Sequence, residues 1–229
     1  MKKTIGLLLL SSFAVAIANA QSALILKGGV NLANVSVTSN GRVDDAKQLT
    51  SFHVGLAGDL AITKFLSFQP GVLLTGKGSK TESGTESDAN FYKATTNPLY
   101  IEIPANLVVK LPVSSQTKLF FGAGPYLGIG IAGKNKTEGK FLGAGFKNEN
   151  DIKFSNDDPT TLDYEEGAGF NILKRFDYGL NGTAGFEFDK VLLGVNYGLG
   201  LAKLQSGSNS SDNDFNKHRV WSFSLGIKL

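Results

Sequence analysis

The sequence predicts an all-β fold: an eight-stranded antiparallel up-and-down transmembrane β-barrel with long extracellular loops and short periplasmic turns. Three observations predict it. Eight stretches alternate apolar with small or polar residues at a period of two, which gives each strand one apolar and one polar face. The connections between them run long, short, long, short, long, short, long, the rhythm of a barrel whose turns lie on one side of a membrane and loops on the other. After residue 20 no apolar run approaches the ~20 residues of a spanning helix, so any crossing is left to strands.

The first twenty residues stand apart. Lys2 and Lys3 begin them, Ile5 to Ile17 are mostly apolar, and Ala18-Asn19-Ala20 is an A-x-A cleavage site, so they read as a secretory signal. The chain then divides into a signal peptide, 1–20, and one barrel domain, 21–229. No Cys stands at the cleavage point, which excludes a lipoprotein. None occurs anywhere, which excludes disulfides and thiolate metal sites. Without the two signal lysines, 23 − 2 = 21 basic residues face 20 acidic ones, which gives no electrostatic case for nucleic acid.

In the first strand, from Ala23, the side chains of Leu24, Leu26, Val30 and Leu32 share one face, and Lys27, Gly29 and Asn31 the other. A polar stretch, 39–50, leads to the second, where Phe52, Val54, Leu56, Leu60 and Ile62 oppose His53, Gly55, Ala57 and Asp59. Thr63-Lys64 turns the chain into the third, with Leu66, Phe68, Val72 and Leu74 against Ser67, Gln69, Gly71 and Thr75. Residues 77–97 read as a long polar loop. The fourth strand sets Leu99, Ile101, Ile103, Leu107, Val109 and Leu111 against Tyr100, Glu102, Asn106 and Lys110. After a short turn, the fifth sets Leu119, Phe121, Leu127 and Ile131 against Gly122, Gly124, Tyr126 and Gly128. Residues 134–174 read as the longest irregular region, although 140–146 and 169–173 have strand character. The sixth strand opposes Phe176, Tyr178, Leu180, Phe186 and Phe188 to Asp177, Asn181, Thr183 and Glu187. Asp189-Lys190 turns it into the seventh, with Val191, Leu193, Val195 and Tyr197 against Gly194, Asn196 and Gly198. A Ser/Asn/Asp loop precedes the last, where Trp221, Phe223, Leu225, Ile227 and Leu229 alternate with Ser222, Ser224, Gly226 and Lys228.

On the apolar face, Phe68, Phe121, Phe186 and Phe188 sit beside short turns, and Phe52, Phe176, Tyr178 and Trp221 beside long loops. Two aromatic girdles around an aliphatic band fit a bilayer and its two interfaces. The polar face assigns a lumen charge network of Lys27, Lys110 and Lys228 with Asp59, Glu102 and Glu187. Equal numbers of each sign predict paired ions in a filled interior, since unpaired charges there are costly. A ring of one sign would have predicted ion selection.

Five short motifs carry a family resemblance: Lys27-Gly-Gly-Val-Asn-Leu32, Phe68-Gln-Pro70, Tyr100-Ile-Glu-Ile-Pro104, Gly122-Ala-Gly-Pro-Tyr126 and Gly185-Phe-Glu187. With them the chain resembles the Bacteroidetes outer-membrane β-barrel family, also called PorT-like or "porin family". The resemblance implies an eight-stranded outer-membrane barrel in a Gram-negative bacterium and implies no catalytic residues. Where many such barrels end in Phe, this one ends in Leu229.

Other chemistry finds little footing. Gly71 to Lys77 spells most of a phosphate loop, but Gly78 replaces the magnesium-holding Ser/Thr and no helix follows. With only His53 and His218, a histidine metal cluster is not expected. His53 as base to a nearby serine would make a lipid-modifying barrel enzyme, but no full constellation for it is visible in the sequence. Asp151, Asp157, Asp158, Asp163, Glu165 and Glu166 lack calcium-loop spacing and read as a solvated charged loop; Lys134, Lys136, Lys140 and Lys147 could meet lipopolysaccharide phosphates, an equally unspecific signal. The sequence therefore predicts no enzyme and no cofactor. It predicts a structural or interaction protein with a plugged lumen, whose partners are outer-membrane lipid, lipopolysaccharide and a surface protein. The alternative is a small-solute pore.

Overall fold

A computed structural model describes residues 22–39, 42–45, 47–155, 172–204 and 215–229. The expected signal peptide and most of the acidic stretch after Asp151 lie outside them. The strands are β1 (Ala23–Ser39), β2 (Arg42–Asp45), β3 (Leu49–Ala61), β4 (Leu66–Gly76), β5 (Ser79–Ser83), β6 (Phe91–Pro112) and β7 (Thr117–Phe141). There follow β8 (Ala144–Asp151), β9 (Lys153–Phe154), β10 (Ile172–Leu173), β11 (Phe176–Phe188), β12 (Val191–Gly200) and β13 (Phe215–Lys228).

Eight of these close a ring. In the order β1, β3, β4, β6, β7, β11, β12, β13, each pairs antiparallel with the next. The last returns to the first, with Ile25 opposite Lys228 and Leu32 opposite Trp221. Closure satisfies both edges of each strand within the ring, which is what a chain crossing hydrocarbon requires. No helix among the described residues is long and apolar enough to cross a membrane.

The two faces of the ring follow the alternation. Leu26, Val54, Val72, Ile103, Val109, Leu193, Leu225 and Ile227 point outward and are exposed. So are Phe52, Phe121, Phe176, Tyr178, Phe186, Phe188 and Trp221 of the girdles. Their neighbours along the chain point inward, down to Tyr100 at 0% and Asp177 at 1% exposure. A water-soluble protein would reverse this arrangement. The interior is tight enough that at Gly29 a Cβ would run into the Phe223 carbonyl and the His53 ring.

Inside the barrel, Ile25, Ala57, Val108, Phe120 and Leu192 form a buried apolar cluster. Two expectations need correcting. The 77–97 stretch is not a plain loop, because it holds β5 and the start of β6. The first part of 134–174 is likewise regular, since β7 runs on to Phe141 and turns through Leu142-Gly143 into β8. Both residues of that turn have positive φ, 50° and 80°, which a two-residue hairpin loop demands and Leu rarely accepts. Above the ring the chain therefore continues as a four-stranded sheet, β5-β6-β7-β8. A register shift between Leu99 and Tyr100 marks the junction.

Candidate functional site

Two regions concentrate polar chemistry: the lumen and the sheet above it. In the lumen, the end of β4 with β6 and β11 brings together Lys77, which follows β4, Glu102 and Asp177, with Lys77 Nζ 2.6 Å from Glu102 and 2.8 Å from Asp177. The Tyr126 hydroxyl donates to Asp177 Oδ2 at 3.1 Å, and the ammonium lies 4.0 Å from the Tyr126 ring centre. This group can be charged while buried because each carboxylate faces the cation at contact distance.

A second group sits nearer the short turns. Lys110 contacts Asp59 and lies 3.1 Å from Glu187, while Lys228 lies 3.0 Å from Asp59 and 2.6 Å from Glu187. Lys118 joins from the rim at 3.3 Å from Glu187, and Gln69 donates to Asp59 at 3.1 Å.

Of the six charges assigned from sequence, Asp59, Lys110, Glu187 and Lys228 thus meet in one group and Glu102 belongs to the other. Lys27 touches no carboxylate; it donates to Asn196 Oδ1 at 3.2 Å. From there a hydrogen-bond chain crosses the lumen. Asn196 Nδ2 donates to Ser224 Oγ at 2.9 Å, and the Ser224 hydroxyl donates to His53 Nε2 at 2.9 Å. His53 Nδ1 in turn donates to Asn31 Oδ1 at 2.8 Å. Asn31 Nδ2 faces the Phe52 and Gly76 carbonyls and Thr75 Oγ1, which fixes its orientation and, through it, the His53 tautomer. The order Asn–His–Ser is that of an acyl-transfer relay. Here, however, the space beside it is small. Two cavities of about 50 Å³ each, one reached by His53 and the other by Ser224, share Lys27, Leu73, Pro104, Asn106 and Asn196. A water needs roughly 10–15 Å³ of such space, so each holds a few waters and no ester. The arrangement holds these side chains in fixed orientations.

Over the long-loop mouth, Val35, Ile152, Leu173 and Leu204 form a buried apolar cluster with Phe154 against it. The Phe154 ring lies on Gly130, where any Cβ would strike it, and meets Tyr100 edge-on at 5.8 Å. Tyr100 also meets His218 edge-on at 5.5 Å.

Lys77 and Asp177 are the lumen charges missing from the assigned network. Their signal was present, since Lys77 continues the polar parity of Ser67, Gln69 and Thr75, and Asp177 shares that of Glu187. Phe154 and Leu173 gave no such signal, because their partners are distant in sequence.

Above the mouth, the sheet β5-β6-β7-β8 carries cross-strand ion pairs. Lys47 lies 2.6 Å from Glu82, Lys93 2.8 Å from Glu138, and Lys136 3.1 Å from Glu149. Lys134 lies 3.2 Å from Glu149 and 3.1 Å from Asp151. Hydrogen bonds from lysines hold each of Glu82, Glu138 and Glu149 below the usual carboxylate value, and hydrogen bonds donated to carboxylates push Lys93 and Lys134 above the usual lysine value. Lys134, Lys136 and Lys140, read as phosphate-facing, are engaged internally, Lys140 donating to the Glu86 carbonyl at 2.7 Å. Lys147 faces Glu138 across the ladder. Among the described residues no group of three or more His, Asp or Glu is placed to hold a metal.

No curated protein matches the chain. Among solved structures it is similar to the attachment invasion locus protein Ail of Yersinia pestis, at 14% identity over 91% of this chain and 97% of that one, with a TM-score of 0.40. It is similar to Neisserial surface protein A at 14% identity over 90% and 96%, TM-score 0.42. It is also similar to the outer membrane protein OprG from Pseudomonas aeruginosa at 12% over 91% and 95%, TM-score 0.39. Residues 19–206 match a family model, that of the outer membrane protein beta-barrel domain. With that match over most of its length, the chain belongs to the outer membrane protein beta-barrel domain family and resides in the outer membrane of a Gram-negative bacterium.

Proposed function

We propose that this protein is a non-enzymatic, non-conducting barrel that works at the cell surface through the sheet β5-β6-β7-β8. The observation that carries this reading is the length of the β6–β7 pair, which runs from Pro112 opposite Lys118 at the short-turn end, through one register shift at Leu99/Tyr100, to Phe91 opposite Lys140. A membrane crossing uses about 9–11 residues of a strand, and β7 has 25. The excess is rigid backbone delivered outside the membrane, stiffened by ion pairs. A filled lumen serves it as a foundation: two ion-pair groups, water-sized cavities between them, and an apolar cap. The same features disfavour a small-solute pore, and the His53 relay, with no room for a substrate, supports a structural role over an acyl-transfer enzyme.

Under this reading residues 1–20 are a cleaved signal peptide and the chain is a PorT-like member of the Bacteroidetes barrels, with outer-membrane lipid and lipopolysaccharide around the girdles. The test replaces residues 136–149 by Asn-Gly in cells that carry the barrel. A folded barrel, seen as heat-modifiable gel mobility, that loses attachment of cells to surfaces or to other cells is the expected result. Unchanged attachment contradicts the reading.

A further inference from the structure

The external sheet ends in an open edge. β8 pairs with β7 on one side, no described strand pairs with the other, and all eight of its residues are exposed. The Ile152 amide just beyond it donates to the Gly133 carbonyl at 2.9 Å, toward β7. By strand alternation, the amides and carbonyls of Lys147, Glu149 and Asp151 then point away from β7, into the open side. Such an edge is a template for another strand.

The charges say which strand. One row of directly opposed residues crosses the whole sheet: Glu82 opposite Lys93, Lys93 opposite Glu138, Glu138 opposite Lys147. Lys47 extends it at the far end through Glu82. Signs alternate at every step, and among the described residues the row stops at Lys147 with no carboxylate beyond. The next row stops at Glu149 and the one after at Asp151. An added strand continues the pattern when it sets an acid opposite Lys147 and a base opposite Glu149. β8 itself does this. Laid antiparallel about Asn148, two copies oppose Lys147 to Glu149 twice, and only an odd-to-odd register of this kind aligns the outward-pointing amides.

We propose that the outer edge of β8 pairs antiparallel with β8 of a second copy in a facing membrane, Lys147 opposite Glu149 on both sides. The facing membrane follows from symmetry. Copies in one membrane are related by an axis along its normal, which sends both β8 strands the same way relative to it; antiparallel strands require copies pointing in opposite senses. The inference rests on the reading that the external sheet is the working part, and it names the partner.

The test uses two-colour outer-membrane vesicles, each population displaying one variant of the full protein, with clustering read by fluorescence cross-correlation. Wild-type vesicles cluster with one another. Lys147→Glu alone and Glu149→Lys alone each turn two attractive cross-strand pairs into repulsive ones and reduce clustering roughly tenfold. Mixing the Lys147→Glu population with the Glu149→Lys population restores it, because each copy now supplies the charge the other needs. Local damage to β8 by either substitution is not repaired by mixing. Wild-type vesicles that stay dispersed, or mixed variants that do, overturn the self-pairing. The role of the external sheet stands or falls separately, on the 136–149 replacement.

Discussion

Lys77 is the residue on which the lumen depends most. Among the described residues it is the sole cation in contact with Glu102 and Asp177, so Lys77→Met leaves two carboxylates in a confined interior with no cation in contact. Removing one partner of a buried pair costs about 3–5 kcal/mol, and urea unfolding of bilayer-inserted protein is expected to show a loss of that order. Lys27→Met, which breaks a single hydrogen bond to Asn196, is expected to cost about 1 kcal/mol. The contrast reverses the sequence reading, which included Lys27 in the ion network and omitted Lys77. Strand parity reveals which way a side chain points. It does not reveal which inward groups meet, because strand tilt offsets residues of equal sequence height around a barrel. Asp59 and Lys110 meet across two strand boundaries, and nothing in the local sequence of either says so.

At the scale of the element, the lipid-facing half of each strand was fully legible and the extensions were not. The alternation of Trp221 to Leu229 specifies an outward apolar face whose register a one-residue slip would invert. Leu225 lies near the middle of that stretch and is 50% exposed. Leu225→Arg is therefore expected to destabilise the barrel by roughly 2–4 kcal/mol, and Phe188→Arg beside the tight turn by only about 0–1. Equilibrium unfolding in lipid vesicles reads both.

The sheet beyond the membrane hid behind its composition. Residues 77–97 and 134–151 are largely polar on both faces, so apart from the strand character of 140–146 no hydrophobic period announces a strand, and charges add to the pairing. That makes it sensitive to acid. Glu82, Glu138 and Glu149 titrate below the usual carboxylate value, so their contribution is complete above that value and is lost as pH falls through their lowered ones. Lys93 and Lys134 titrate above the usual lysine value, so the alkaline limit lies higher than about pH 10.4. Taking the protein from about pH 7 to about pH 3 is expected to expose residues 134–151 to an acid-active protease while the ring stays folded. Equal resistance at both pH values would assign the sheet's stability to its backbone alone.

For the whole molecule, one chain builds two environments from the same strands. Within the membrane, β6 and β7 carry apolar side chains outward and ion pairs inward; above it, the same two strands carry charged ladders into water. The ring is closed by the pairing of the first and last strands, and its interior is divided by two ion-pair groups with a few waters' room between. The measurement that bears most directly on this picture is single-channel conductance of the inserted protein in a planar bilayer. A sealed lumen gives no steps from protein whose insertion is shown independently. Steady ohmic steps from the wild-type chain would contradict it, and would return the lumen, in place of the external sheet, to the centre of its function.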